Sequence, residues 1–103
     1  MKIFDTKALH AHPYSERQRN VFFEVDEFKL RIIELEEDEK FPECLMSSYV
    51  IFSLVSGEVE ITVNDKKAVL NKERELLVSE PGTFSMKALS VTRLLGIQIK
   101  KET

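Results

Sequence analysis

The sequence holds no tryptophan, one cysteine, two histidines, and only three glycines and three prolines among its 103 residues. A single cysteine, Cys44, excludes an internal disulfide, and with both histidines far away at His10 and His12 it has no base nearby in the sequence to make it a nucleophile. No apolar run approaches the ~20 residues that span a bilayer. The opening Met1-Lys2-Ile3-Phe4-Asp5 meets a charge before any signal-peptide core can form, so a soluble cytoplasmic protein with no membrane association is expected. There is no basic stripe either. Eighteen acids and fifteen Lys and Arg, mixed along the chain, give a net charge of −3, which argues against nucleic acid as a partner. Internal repeats, low-complexity tracts and convincing helical periodicity are also missing.

The chain does contain short apolar runs separated by turn signals, in a length that suits one domain burying roughly two thirds of its unfolded surface. Val21 to Val25 leads through Asp26-Glu27 into Phe28, Leu30 and Ile32, alternating with Lys29 and Arg31, which reads as a hairpin. Glu34 to Glu43 holds six acids and one base, Lys40, and reads as a solvated loop. Tyr49 to Val55 is apolar in both parities and ends at Ser56-Gly57, so a strand buried on both faces is expected. Val59, Ile61 and Val63 alternate with Glu58, Glu60 and Thr62; Asn64-Asp65-Lys66 then turns the chain back into Ala68-Val69-Leu70. Leu76-Leu77-Val78 stops at Glu80-Pro81-Gly82, and two further strands run over Thr83 to Leu89 and Val91 to Ile99. About eight short strands without a helix make an all-β sandwich or closed barrel. Residues 1–20 read as an irregular arm and residues 21–103 as the barrel domain.

In this frame the chain resembles the cupin superfamily, a double-stranded β-helix or jelly-roll barrel, over roughly Phe28 to Ile99. The family's first motif is G-x5-H-x-H-x3,4-E-x6-G and its second G-x5-P-x-G-x2-H-x3-N. Anchoring the first on Gly57 places its glutamate at Val50, its histidines at Cys44 and Met46, and its opening glycine at Asp38. Anchoring the second on Gly82 places its histidine at Ser85, its asparagine at Leu89, its proline at Glu80 and its opening glycine at Arg74. The resemblance implies a metal held by three imidazoles and a carboxylate. Cys44, Met46, Val50 and Ser85 do not supply those donors, so neither a metal nor another cofactor is expected, and no catalytic residue is assigned.

Several readings follow. Cys44, Met46, Phe52, Phe84 and Met86 are expected to line the barrel interior, either as plain core or as a pocket for a small organic ligand. Motif alignment turns Ser85 and Lys87 inward, whereas apolar parity turns Phe84 and Met86 inward; an unpartnered buried Lys87 is costly, so the second register is expected, through a bulge near Gly82. Arg93 is expected at the rim, pointing to water. The leading reading is a metal-free binding or structural module, paired with itself as a homodimer through the doubly apolar strand. A metal-dependent isomerase or dioxygenase using His10, His12, Glu43 and Cys44 is the alternative from a different class. A third is an effector-binding regulatory domain acting in trans.

Overall fold

The computed structural model describes residues 1–100; residues 101–103, the end of the expected barrel domain, lie outside the described part. A 3-10 helix, η1 (Tyr14–Asn20), precedes nine strands: β1 (Val21–Glu24), β2 (Phe28–Leu35), β3 (Lys40–Met46), β4 (Tyr49–Ser56), β5 (Val59–Val63), β6 (Lys66–Leu70), β7 (Leu76–Ser79), β8 (Gly82–Ala88) and β9 (Thr92–Ile99). They form two antiparallel sheets, in the orders β1-β2-β9-β4-β7 and β3-β8-β5-β6, the two walls of a jelly roll. Between them lies a core that includes Phe52, Leu54, Ile61, Phe84 and Leu94.

The strand that pattern reading passes over is β3. Lys40, Pro42 and Glu43 disguise it as part of the acidic loop, yet it pairs with β8, and its other edge is free of ladder partners, which is where a proline without an N–H is tolerated. Phe41 opposes Met86 and Cys44 opposes Phe84, so the register shifts between Phe41 and Cys44. The extra residue flips the parity, and Phe41, Cys44 and Met46 all turn toward the core. The irregularity expected at Gly82 thus sits on the opposing strand. It leaves β8 regular, with Phe84, Met86 and Ala88 buried and Ser85 and Lys87 on the outer side.

Turn chemistry follows the sequence closely. Asn64 and Asp65 both take positive φ, 48° and 69°, in a two-residue hairpin loop between β5 and β6. Asn64 Oδ1 also accepts the Thr83 N–H at 2.9 Å, which ties this hairpin to β8. Asp38, at the position where the family motif has glycine, has φ 66°. The backbone there keeps the left-handed conformation although the residue is not glycine, and Asp is among the residues that tolerate it. Asp38→Gly is expected to raise stability by up to about 1 kcal/mol, read as an increase in the denaturant midpoint with an unchanged slope.

β4 buries Val50, Phe52 and Leu54 on its inner face; its other face, which the homodimer is expected to cover, is half covered within one chain, and Tyr49 is 40% exposed. One expectation is corrected on this outer face of the five-stranded sheet: Arg93 does not point to water. Its side chain is 15% exposed, lies 2.9 Å from Glu34 Oε2, and donates to the carbonyls of Thr6 and Leu9 at 3.0 and 2.7 Å. The arm is therefore tied down across the β2–β9 part of this face, where Ile32 is fully buried. Further along the arm, buried Asn20 exchanges both of its side-chain hydrogen bonds with the His12 backbone, at 2.6 and 3.0 Å. Tyr14 then sets its ring edge-on against Phe41, with centroids 4.6 Å apart.

Candidate functional site

The interior between the sheets is where the expected site residues meet. Cys44 and Met46 of β3, Phe52 of β4, and Phe84 and Met86 of β8 all line one enclosed hollow, together with Val50. Phe52 and Phe84 meet edge to face across it, with centroids 6.1 Å apart. The hollow is small, about 20 Å³, enough for a water molecule and little more. Most of the interior is therefore packed core, with two methionines on the wall whose unbranched side chains can yield.

Sequence reading missed the polar part of this site. Arg31 and Gln98 also line the hollow, and so does Gly96, which stands in the same row as Arg31. Register explains why they converge: Arg31, Gly96 and Phe52 stand side by side across β2, β9 and β4, and Lys29, Gln98 and Val50 form the next row. On β2 the inner face is the odd one, carrying Ile33 and Leu35 in the core, which turns Arg31 inward where alternation with Phe28, Leu30 and Ile32 had placed it outward. The apolar pair Ile33 and Leu35 shares the parity of Arg31, but with Phe28, Leu30 and Ile32 in the other parity the sequence alone does not choose between the faces.

The electrostatics are uneven. Arg31 Nε is buried without a hydrogen-bond partner among the described residues, and so is Gln98 Oε1. Gln98 Nε2 makes only a weak 3.7 Å contact to Met46 Sδ. Arg31 forms no ion pair among the described residues. Burial, followed by repulsion from Arg17, lowers its pKa from the ordinary arginine range. It nevertheless stays protonated through the neutral range. Because a base with a lowered folded pKa costs stability wherever it remains charged, this cost is constant across neutral pH. Arg17 stacks over the Tyr14 ring at 4.5 Å, so the helix that packs on Phe41 also brings a second cation near Arg31.

The other sequence candidates do not gather here. His10 and His12 set their rings edge to face, 4.5 Å between centroids, in the arm. Glu43 and Ser85 line a groove on the outer side of the four-stranded sheet with Thr62, whereas Cys44 faces inward. No group of three or more His, Cys, Asp or Glu side chains that could hold a metal ion exists among the described residues. The four family ligand positions are also split between faces, with Cys44, Met46 and Val50 inside and Ser85 outside. A metal bound through imidazoles and a carboxylate does not fit that donor set.

Among solved structures, the chain is similar to a conserved protein of unknown function from Streptococcus pyogenes, with TM-score 0.72 and 13% identity over 81% of this chain and 73% of that one. It is equally similar to a cupin superfamily protein from Desulfitobacterium hafniense, with TM-score 0.71 and 16% identity over 79% and 74% of the two chains. The chain has the cupin fold. Salicylate 1,2-dioxygenase from Pseudoaminobacter salicylatoxidans also carries it, with TM-score 0.65 and 14% identity over 71% of this chain but only 20% of that one. No protein-family model matches the sequence, and no curated protein does. At such identities the likeness is one of fold, and a cupin barrel serves both enzymes and proteins without a known role. No helix among the described residues is long and apolar enough to cross a membrane.

Proposed function

We propose that the protein is a metal-free cupin that binds a small organic molecule in the hollow bounded by Cys44, Met46, Phe52, Phe84 and Met86, without catalytic chemistry of its own. The observation that supports this is that Arg31 and Gln98 are the polar members of an otherwise apolar lining, and that a buried atom of each, Arg31 Nε and Gln98 Oε1, finds no hydrogen-bond partner among the described residues. Buried polar groups in folded proteins are nearly always paired, so two such orphans on residues of one hollow favour a bound partner there. No nucleophile and base come together at this site, and the donor set suits no metal of the kind the fold commonly carries.

Gly96 provides the test. A methyl group added there would meet Ile33 Cδ1 at 3.5 Å, Phe52 Cε1 at 3.6 Å and the Arg31 carbonyl at 3.7 Å, all ordinary contacts. Gly96→Ala should therefore fill the hollow and keep stability within about 1 kcal/mol of the parent. A melting-temperature screen against organic acids, sugars and aromatic metabolites is expected to give a ligand that raises Tm by about ten degrees at about a hundred times its Kd, a shift that Gly96→Ala abolishes. Stoichiometric metal in protein purified without added metal, or a ligand indifferent to Gly96→Ala, would overturn the reading.

A second copy of the chain fits the outer face of the five-stranded sheet. Val78, Ile51, Ile97 and Leu30 form one apolar row in register across β7, β4, β9 and β2. Toward the uncovered edge at β7, Val78 is 66% and Leu76 62% exposed, far from the part the arm crosses. A dimer across this face supplies the cover that the second apolar parity of β4 lacks. Val78→Lys is expected to convert it to monomer in light scattering at micromolar concentration; a parent protein that is already monomeric there removes the proposal.

A further inference from the structure

The hollow also carries information on ligand chemistry, and this step rests on the binding function proposed above. Among the described residues, Arg31 Nε–H is a donor without an acceptor, and Gln98 Oε1 is an acceptor without a donor. Both residues line the same hollow, in neighbouring rows of the same face of one sheet. A single water could satisfy both, since it accepts one bond and donates another. It would leave the charge unanswered. Arg31 is a partly desolvated cation that forms no ion pair among the described residues; Arg17 is a second cation near it, and Glu24 is a weaker, favourable carboxylate neighbour. Folding such a group inward is unfavourable unless an anion meets it.

We propose that the hollow is a site for a small 2-hydroxycarboxylate, whose carboxylate accepts from Arg31 and whose neighbouring hydroxyl donates to Gln98 Oε1. Charge selects the carboxylate, because a guanidinium offers the planar donor fork that a carboxylate matches. The unpaired acceptor on Gln98 selects the hydroxyl, because an unsubstituted carboxylate is acceptor-only and would meet Gln98 Oε1 with no hydrogen to give. Size sets the rest. The hollow admits one small polar group, and Gln98 also lines a second depression of about 190 Å³, on whose rim stand Glu24, Lys29 and Ser48. A ligand held by its polar end therefore extends along Gln98 into this outer depression, and Met46, weakly tied to Gln98, is the side chain that makes way.

The test compares glycolate, acetate and glycolamide by thermal shift at ~10 mM and by calorimetry, at ionic strength held constant with sodium chloride. Glycolate is expected to bind, acetate about tenfold more weakly for loss of one hydrogen bond, and glycolamide not measurably for loss of the charge. Gln98→Leu should bring glycolate down to the acetate level. Arg31→Met should abolish both while raising Tm in the absence of ligand, because it removes a partly desolvated charge that has no ion pair among the described residues. Arg31→Lys keeps the charge without the fork and serves if Arg31→Met does not fold; it should weaken glycolate about tenfold or more. Chloride competing as well as acetate, glycolamide binding as well as glycolate, or a glycolate shift that survives Arg31→Met would each overturn the inference. If only uncharged compounds bind and Gly96→Ala stops them, the binding function stands and the hydroxycarboxylate does not. If nothing binds, both fall.

Discussion

Phe84→Ala should lower the unfolding free energy by about 3–5 kcal/mol, a large fraction of what a domain of this size has to spare. Phe84 is 1% exposed, sits in the middle of β8, and touches both sheets: it opposes Cys44 and Val63 in its own sheet and meets Phe52 edge to face across the interior. Removing the ring forfeits its transfer free energy and leaves a cavity between two sheets whose ladders prevent them from closing on it. Equilibrium urea unfolding measures this directly, with Phe84→Leu as the milder control expected to cost less than half as much. A loss below about 1 kcal/mol would mean that β8 is not turned as described and that Ser85 and Lys87 face the core. The substitution has a second expected consequence. The new cavity is continuous with the hollow at Cys44 and Met46, so the variant should gain thermal stabilisation from benzene or indole that the parent lacks.

Gly57→Ala is expected to cost about 3 kcal/mol or more and to do so without touching the core. Gly57 closes β4 with φ 90°, a region that side chains rarely adopt. A Cβ there would overlap the Val91 carbonyl oxygen and stand 2.7 Å from Thr92 Cα and 2.8 Å from Thr92 Oγ1. These neighbours cannot easily retreat. Thr92 is 1% exposed, and its hydroxyl donates within reach of both the Glu58 and Ser90 carbonyls, at 2.9 and 2.8 Å. The chain entering β9 is thus packed directly against the turn leaving β4, with no room for a methyl group. Gly96→Ala, at the β9 glycine where an added methyl group makes only ordinary contacts, is the internal control: the same chemical change should be nearly silent in stability there. Equal losses at the two positions would contradict the close approach of Gly57 to Val91 and Thr92.

Strong local signals in the sequence carried most of the fold. The Asn64-Asp65 hairpin, the stop at Gly57 and the clean alternation of Val59, Ile61 and Val63 each depend on a residue's own backbone preference or on a period of two, and both survive reading one segment at a time. The choice of Phe84 and Met86 as inward residues was legible for the same reason, through the cost of burying Lys87. β3 was not legible, because Pro42 and Glu43 break its pattern and the bulge that repairs it is defined only opposite β8. Arg93 was misread because the partners that draw it in, the carbonyls of Thr6 and Leu9, are more than eighty residues away.

The candidate site divides along the same line. From the sequence came the apolar lining, Cys44, Met46, Phe52, Phe84 and Met86, and, through the resemblance to the cupin motifs, the mismatch between this chain and the metal donors those motifs imply. These are questions of residue type and spacing, which a linear pattern holds in full. Only the tertiary structure placed Arg31 and Gln98 against that lining, because a strand with apolar residues in both parities does not say which face is inside. That decision is made by the neighbouring strands: β9 lies between β2 and β4, and its register puts Arg31, Gly96 and Phe52 in one row facing the hollow.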